Sequence, residues 1–298
     1  SNMPFVPMLQ AHLWHTTGDY QLREPTNEEL KVMANIAVTY GAKGILWFWY
    51  SGWGEMAGDK NYGRGLTSSV PLPTVFGDVP SNAPFARRDD NAYHQWSGTT
   101  GLDKSSKFNT VAALNYLYKN TWGEKLMSFD DDYTRTCIYR LEGERNTFLS
   151  NSYIAGLYTF KPGPREIHCV QDNPATMTMP AGYVGECADD RYLQVATFEK
   201  DRNDGNYFMI VNRRCSPFIN DNTTADNYGG RRYIKIQFNP NSPELAGANG
   251  WKITDVETNE SFSFNKVGMP AVELGFFNPG QGKLYKMTSI PKSGGVLA

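Results

Sequence analysis

The run Ile45-Leu46-Trp47-Phe48-Trp49-Tyr50 has no charged or amide side chain, and it limits the fold more than any other segment. A strand of this kind needs cover on both faces, the usual situation of strands in parallel sheets. The segment before it is a helix signal. Thr26 followed by Glu29 forms a capping box behind Pro25, and Leu30, Met33, Ala34, Ala37 and Val38 recur at helical spacing until Gly41 stops the helix. Earlier still, Phe5 to Leu13 reads as another strand apolar on both faces. Strand, helix, strand predicts a parallel crossover, with functional side chains at the carboxyl ends of both strands.

From Ser51 to Lys104 the chain is rich in Gly, Pro, Ser, Asp and Asn, which predicts a long functional or insertion loop. Helical spacing returns over Phe108 to Tyr118, where Val111, Leu114, Asn115 and Tyr118 share a face, with Trp122 and Leu126 beyond. After Asp130 the period becomes two. Candidate strands are Tyr133 to Arg140, Tyr153 to Phe160, Glu166 to Val170, Arg191 to Glu199, Asn206 to Asn212, Arg232 to Phe238, Trp251 to Val256, Ser261 to Phe264, Val272 to Phe276 and Gly282 to Met287. Their spacing and turn signals predict an all-β sandwich of about eight to ten strands.

Two segments carry a family resemblance. Arg23-Glu24-Pro25-Thr26-Asn27-Glu28-Glu29-Leu30, leading into Tyr40-Gly41-Ala42-Lys43-Gly44-Ile45, resembles the last quarter of a glycoside hydrolase (β/α)₈ barrel of the clan A and β-galactosidase-like group. The ending Pro279-Gly280-Gln281-Gly282-Lys283-Leu284-Tyr285 is similar to that of the C-terminal β-domain such proteins carry. The resemblance implies an α/β partial barrel segment over residues 3–130, with Phe5 to Leu13 as barrel strand 7, the helix opened by Thr26 as helix 7, Ile45 to Tyr50 as strand 8, the insertion at 51–104 and the helix from Phe108 as helix 8. An all-β sandwich over 131–298 then follows as the accessory domain. It implies a piece of a longer protein that hydrolyses glycosidic bonds.

One departure bears on activity. Barrels of that group place a nucleophile glutamate at the end of strand 7 and an acid/base glutamate on strand 4. Here strand 7 ends in Gln10-Ala11-His12 and no segment corresponds to strand 4. Glycoside hydrolysis needs a pair of carboxyl groups flanking the bond, so this chain is expected to bind sugar without cleaving it. The catalytic residues stay unassigned.

The expected sugar-binding wall consists of Gln10, His12 and Trp14 after the first strand and Trp49, Tyr50, Trp53 and Glu55 after the second. Aromatic faces pack on the C–H faces of sugar rings, an amide or imidazole can hydrogen-bond a hydroxyl, and Glu55 is the nearest carboxylate, with Asp59 beyond. Trp47, in mid-strand, is assigned to the core. His12, His15 and Asp19 have no fourth partner at zinc-like spacing, so no metal site is expected. Two alternatives stand: a sugar-binding wall braced by the sandwich, or a sandwich that itself binds or interacts, with Tyr153, Tyr158, Tyr207, Tyr228 and Trp251 as source of an exposed row.

Composition removes several classes. The 298 residues carry 29 basic and 31 acidic side chains for a net charge of -2, so there is no basic field for nucleic acid. No apolar run approaches the roughly 20 residues that span a bilayer, so a membrane is not an expected partner either. Cys137, Cys169, Cys187 and Cys215 include no CxxC pair; their even number permits an exported protein, while buried free thiols are the simpler reading. Asp201 to Asn206 has its glycine misplaced for a calcium loop, and Asn222-Thr223-Thr224 and Asn259-Glu260-Ser261 are glycosylation sequons. No phosphate or dinucleotide fingerprint is present, and no cofactor is expected. Carbohydrate is the expected ligand. An unclosed parallel pair also predicts association with a second copy or with a complementing barrel fragment.

Overall fold

The computed structural model describes residues 4–11, 13–15, 21–22, 25–48, 62–64, 66–68, 103–104, 106–129, 135–138, 153–162, 183–188, 192–198, 206–214, 231–239, 241–242, 245, 247–265 and 272–290. The chain begins with β1 (Met8–Gln10), β2 (Leu13–His15) and β3 (Gln21–Leu22), then α1 (Asn27–Thr39) and β4 (Leu46–Phe48). After β5 (Tyr62–Arg64), β6 (Thr67–Ser68) and β7 (Asp103–Lys104) comes a helix in three parts: α2 (Ser106–Tyr116), a π turn (Leu117–Trp122) and α3 (Gly123–Ser128). The remainder is strand: β8 (Arg135–Ile138), β9 (Ile154–Pro162), β10 (Tyr183–Ala188), β11 (Leu193–Phe198), β12 (Asn206–Asn212), β13 (Arg232–Phe238), β14 (Gly250–Asp255), β15 (Ser261–Asn265), β16 (Val272–Phe277) and β17 (Gly282–Ile290).

The sandwich consists of a six-stranded sheet, β15-β14-β17-β12-β11-β8, facing a four-stranded sheet, β10-β9-β13-β16. Between them lie Val195, Phe208, Ile210, Trp251 and Tyr285 from the larger sheet and Leu157, Ile234, Ile236, Leu274 and Phe277 from the smaller. The larger sheet is covered on its other face as well. Ala196, Phe198, Tyr207, Met209, Val211 and Leu284 pack there against Val38 of α1 and Trp122, Leu126 and Phe129 of the long helix and its end. This double burial explains why β12 reads Tyr-Phe-Met-Ile-Val without interruption: alternate side chains enter different cores, and both are apolar. A third core joins the helices to the parallel pair, through Leu30, Val111, Ala11 and Leu66, with Met33, Trp47 and Phe108 against them.

The local signals act as elementary chemistry requires. Thr26 Oγ1 accepts from the Glu29 amide at 2.9 Å while the Glu29 carboxylate accepts from the Thr26 amide at 2.9 Å, which closes the capping box. Gly41 ends α1 with φ at +83°. Just beyond it, Lys43 Nζ donates to the carbonyls of Leu126 at 2.8 Å and Phe129 at 2.7 Å, supplying donors at the C-terminal end of α3.

The barrel expectation is corrected. β1 and β4 do pair in parallel, Met8 opposite Leu46 and Gln10 opposite Phe48, but among the described residues this sheet stops at two strands. The chain leaving β1 turns at once into β2, which pairs antiparallel with β3 and β5 and so builds no further parallel neighbour. The described chain is mostly strand, in antiparallel sheets, and not an α/β barrel segment with helices 7 and 8. The expected strands shrink to three residues each. Their alternate side chains Met8, Leu46 and Phe48 stay exposed, with Phe5 and Val6 beside them. An apolar run fixes what a strand would tolerate on its faces; it does not fix how many neighbours it acquires.

Nine of the ten expected sandwich strands are found, and Glu166 to Val170 lies outside the described residues. Tyr183–Ala188 is an additional strand that period-two reading misses, because Gly185, Cys187 and Ala188 give it a weak apolar contrast. Among the described residues no helix is long and apolar enough to cross a membrane.

Candidate functional site

The parallel register places the carboxyl ends of β1 and β4 side by side. Gln10 faces Phe48 across the pair, and the Ala11 amide continues the ladder by donating to the Phe48 carbonyl. Both strands therefore end at one edge of the pair. This is the edge at which open parallel sheets hold ligands, because main-chain groups and side chains there are no longer tied up in the sheet.

Beneath this edge the packing is dense. Ala11 is fully buried, and Lys107, itself buried, donates from Nζ to the Ala11 carbonyl at 3.1 Å. Trp47 points to the helical side, packs against the third core and donates from its indole nitrogen to Asn115 Oδ1 at 3.0 Å. β2 lies just past the edge with Trp14 opposite Leu22 on one side and Gly63 on the other, and His15 opposite Gln21 and Tyr62.

Of the sequence-predicted wall, Gln10 stands at the strand end, half-buried, and Trp14 lies on β2. His12, Trp49, Tyr50, Trp53 and Glu55 lie outside the described residues, as do Asp19 and Asp59. Neither described strand end carries a carboxylate, Gln10-Ala11 ending one and Phe48 the other. The described edge can therefore orient a ligand by hydrogen bonds and apolar contact, and it presents no acid and nucleophile pair. Lys107 escaped the sequence reading although a signal existed: it sits four residues before Val111, on the apolar face of its helix, where a lysine has to find a partner.

The row of aromatic residues expected from the sandwich is corrected in part. Tyr153, Tyr207 and Trp251 are buried at 5%, 0% and 1% exposure and belong to the two sandwich cores. Tyr228 lies outside the described residues, and Tyr158 occupies the position opposite Lys235 in β9.

A buried polar link ties the helical layer to the sandwich. Asn35 Nδ2 donates to the Gly280 carbonyl at 2.8 Å, and Tyr118 donates its hydroxyl proton to Asn35 Oδ1 at 2.9 Å. Burial pushes the Tyr118 phenol far above its ordinary range, which favours its protonated, donating form. One turn on, Gln194 of β11 donates to Thr39 Oγ1, which in turn donates to the Ile36 carbonyl at 2.7 Å. Gly280 (φ +74°) and Gly282 serve this contact: an added Cβ would stand 2.5 Å from the Glu28 carbonyl oxygen in the first case and 2.7 Å from Asn35 Cγ in the second.

Compared with protein-family models, curated proteins and solved structures, the chain matches none of them.

Proposed function

We propose that this chain binds carbohydrate at the edge where β1 and β4 end, and that the sandwich is the foundation holding that edge in place. The observation that carries the reading is the parallel register of Gln10 with Phe48, which puts both strand ends at one edge; in the sequence His12 and Trp14 follow the first strand and Trp49, Tyr50 and Trp53 the second. Aromatic residues and an amide that follow the two strand ends in sequence suit a pyranose, whose C–H faces are apolar and whose rim is hydroxylated. The helical layer buried against the six-stranded sheet supplies the rigidity that such a wall needs.

The reading is one of binding, not hydrolysis. Titration of the chain with soluble plant and microbial polysaccharides should give saturable binding that Trp49→Ala and Trp53→Ala weaken, with no release of reducing sugar. Turnover of an aryl glycoside that Glu55→Gln abolishes would overturn it.

The face opposite the helices supports self-association. Phe5, Val6, Met8, Leu46 and Phe48 are 47%, 43%, 63%, 54% and 38% exposed on adjoining segments, whereas parallel strands are ordinarily covered on both sides. A second copy of the chain is the proposed cover. Sedimentation should show a concentration-dependent dimer that Leu46→Glu dissociates; a monomer at all concentrations removes this proposal.

A further inference from the structure

The hairpin from β14 to β15 turns on one of the two sequons. Thr254 opposite Ser261 is the last pair of the ladder, and residues 256–260 make the turn. Buried Asp255 holds it: Oδ1 accepts from the Glu257 amide at 2.9 Å and from the Thr258 amide at 3.3 Å, and the Asp255 amide donates to the Glu260 carbonyl at 2.9 Å. Asn259 closes the turn by donating its amide to the Asp255 carbonyl at 2.9 Å, with φ at +60°. Among the described residues it is the one non-glycine residue with a left-handed backbone. Glycine adopts that angle at less cost, and asparagine tolerates it while keeping a carboxamide at the tip.

Glu257, Thr258, Asn259, Glu260 and Ser261 are all exposed. The Asn259 carboxamide has no hydrogen-bond partner among the described residues, so its nitrogen is open to a reagent. The middle position is Glu260 and not proline, and Ser261 supplies the hydroxyl that an acceptor needs two residues on, 2.9 Å from Thr254 Oγ1 and 3.5 Å from the Asn259 carbonyl oxygen. The neighbouring strand adds a second observation. Among the described residues β15 pairs with β14 alone, so its other side is an open sheet edge. Phe262 and Phe264 lie half-buried against the sandwich core while Ser261, Ser263 and Asn265 are exposed, and the strand contains none of the lysines or prolines that blunt such edges.

We infer that Asn259 is an attachment site for an N-linked glycan, and that the glycan shields the open edge of β15. The donor is an oligosaccharide carried on a polyprenyl diphosphate, and the transferase is a separate enzyme. The Asn259 carboxamide nitrogen attacks C1 of the first sugar; the N–C1 bond forms as the C1–O bond to phosphate breaks, the polyprenyl diphosphate departs with that electron pair, and the amide proton passes to a base of the transferase. This chain supplies the acceptor and its presentation, nothing more. Attached two residues before β15, the hydrated, bulky sugar obstructs a second strand approaching an edge that no charge of its own protects. A covalent sugar at this turn does not depend on the β1–β4 edge binding one.

The test is expression of the full chain behind a cleavable leader in the secretory pathway of a yeast or animal cell, with glycopeptide mass spectrometry of the secreted and the cell-retained protein. Asn222 of the other sequon lies outside the described residues, and Asn222→Gln leaves Asn259 as the single acceptor. That chain should carry one glycan, removable by a peptide amidase that cuts the sugar–asparagine bond. Adding Asn259→Gln or Ser261→Ala should abolish it, Ser261→Thr should keep it, and circular dichroism should give one folded spectrum for all. Absence of the glycan from the Asn222→Gln chain, or its persistence in Ser261→Ala, overturns the site. For the edge, Leu46→Glu is added so that association through the parallel pair is not counted, and light scattering is followed while the amidase acts. A rise as the glycan leaves is expected; unchanged scattering overturns the shielding role.

Discussion

The amide nitrogen of Asn35 donates to the carbonyl of Gly280 at 2.8 Å, although the two residues lie 245 positions apart in the chain. The same side chain accepts from Tyr118, so one buried amide joins α1, the π turn and the β16–β17 turn. Asn35→Ala should lower unfolding stability by about 2 to 4 kcal/mol, since it strands both a buried phenol and a buried carbonyl. Tyr118→Phe removes one donor only and should cost about 1 to 2 kcal/mol. Chemical denaturation of the two variants beside the wild type checks the order.

Gly280→Ala should be destabilising by about 2 to 4 kcal/mol, because the new methyl meets main chain of α1 in a left-handed backbone conformation. Gly247→Ala provides the comparison. Its φ is +81°, but nothing lies within 4 Å of the added Cβ, so the backbone strain alone should cost about 1 kcal/mol. Equal losses in the two thermal melts would show that the helix contact contributes nothing.

Replacing Lys43 with methionine keeps the length of the side chain and removes its two bonds to the end of α3. A loss of about 1 to 2 kcal/mol is expected from the freed carbonyls and the helix dipole. Amide exchange should quicken first around Leu126 to Phe129, while the sandwich core strands keep their protection.

Glu273 gives the acid side of the stability profile a definite sign. The hydrogen bond from Tyr233, then that from Lys235, holds its carboxyl below the ordinary value of 4.5. A carboxyl with a depressed folded value binds protons more readily when unfolded, so its contribution is present above the ordinary value and disappears as pH falls through the folded one. Melting temperature measured between pH 6 and pH 3 should therefore fall less in Glu273→Gln than in the wild type. Parallel curves would mean that the contacts to Tyr233 and Lys235 do not persist in solution.

Local patterns carried much of this architecture and misled at identifiable places. Helix α1 was readable because its start depends on Thr26 and Glu29, three residues apart, and its end on Gly41. Most sandwich strands were readable through two-residue alternation, while β12 was readable through its length and its lack of polar residues. The same lack of polar residues in Ile45 to Tyr50 suggested burial on both faces, yet Leu46 and Phe48 are exposed. Neighbour number depends on where the next segment goes, and β2 goes antiparallel. The Asn35–Gly280 link and the bulge at Gly275 had no local signature, since each is defined by residues brought together from separate strands or helices. At the candidate edge, Gln10 was legible as a strand end, whereas Lys107 needed the observation that a charged group occupied an apolar stripe.

The pairing of Thr67 with Lys104 and of Ser68 with Asp103 closes a stem beneath residues 69–102. The stem fixes the distance between the two ends of that stretch. Lengthening, shortening or exchanging the stretch then alters closure entropy slowly, as the logarithm of its length. The stem is a socket: a place where chain length can change while the strand pair that closes it keeps its sequence.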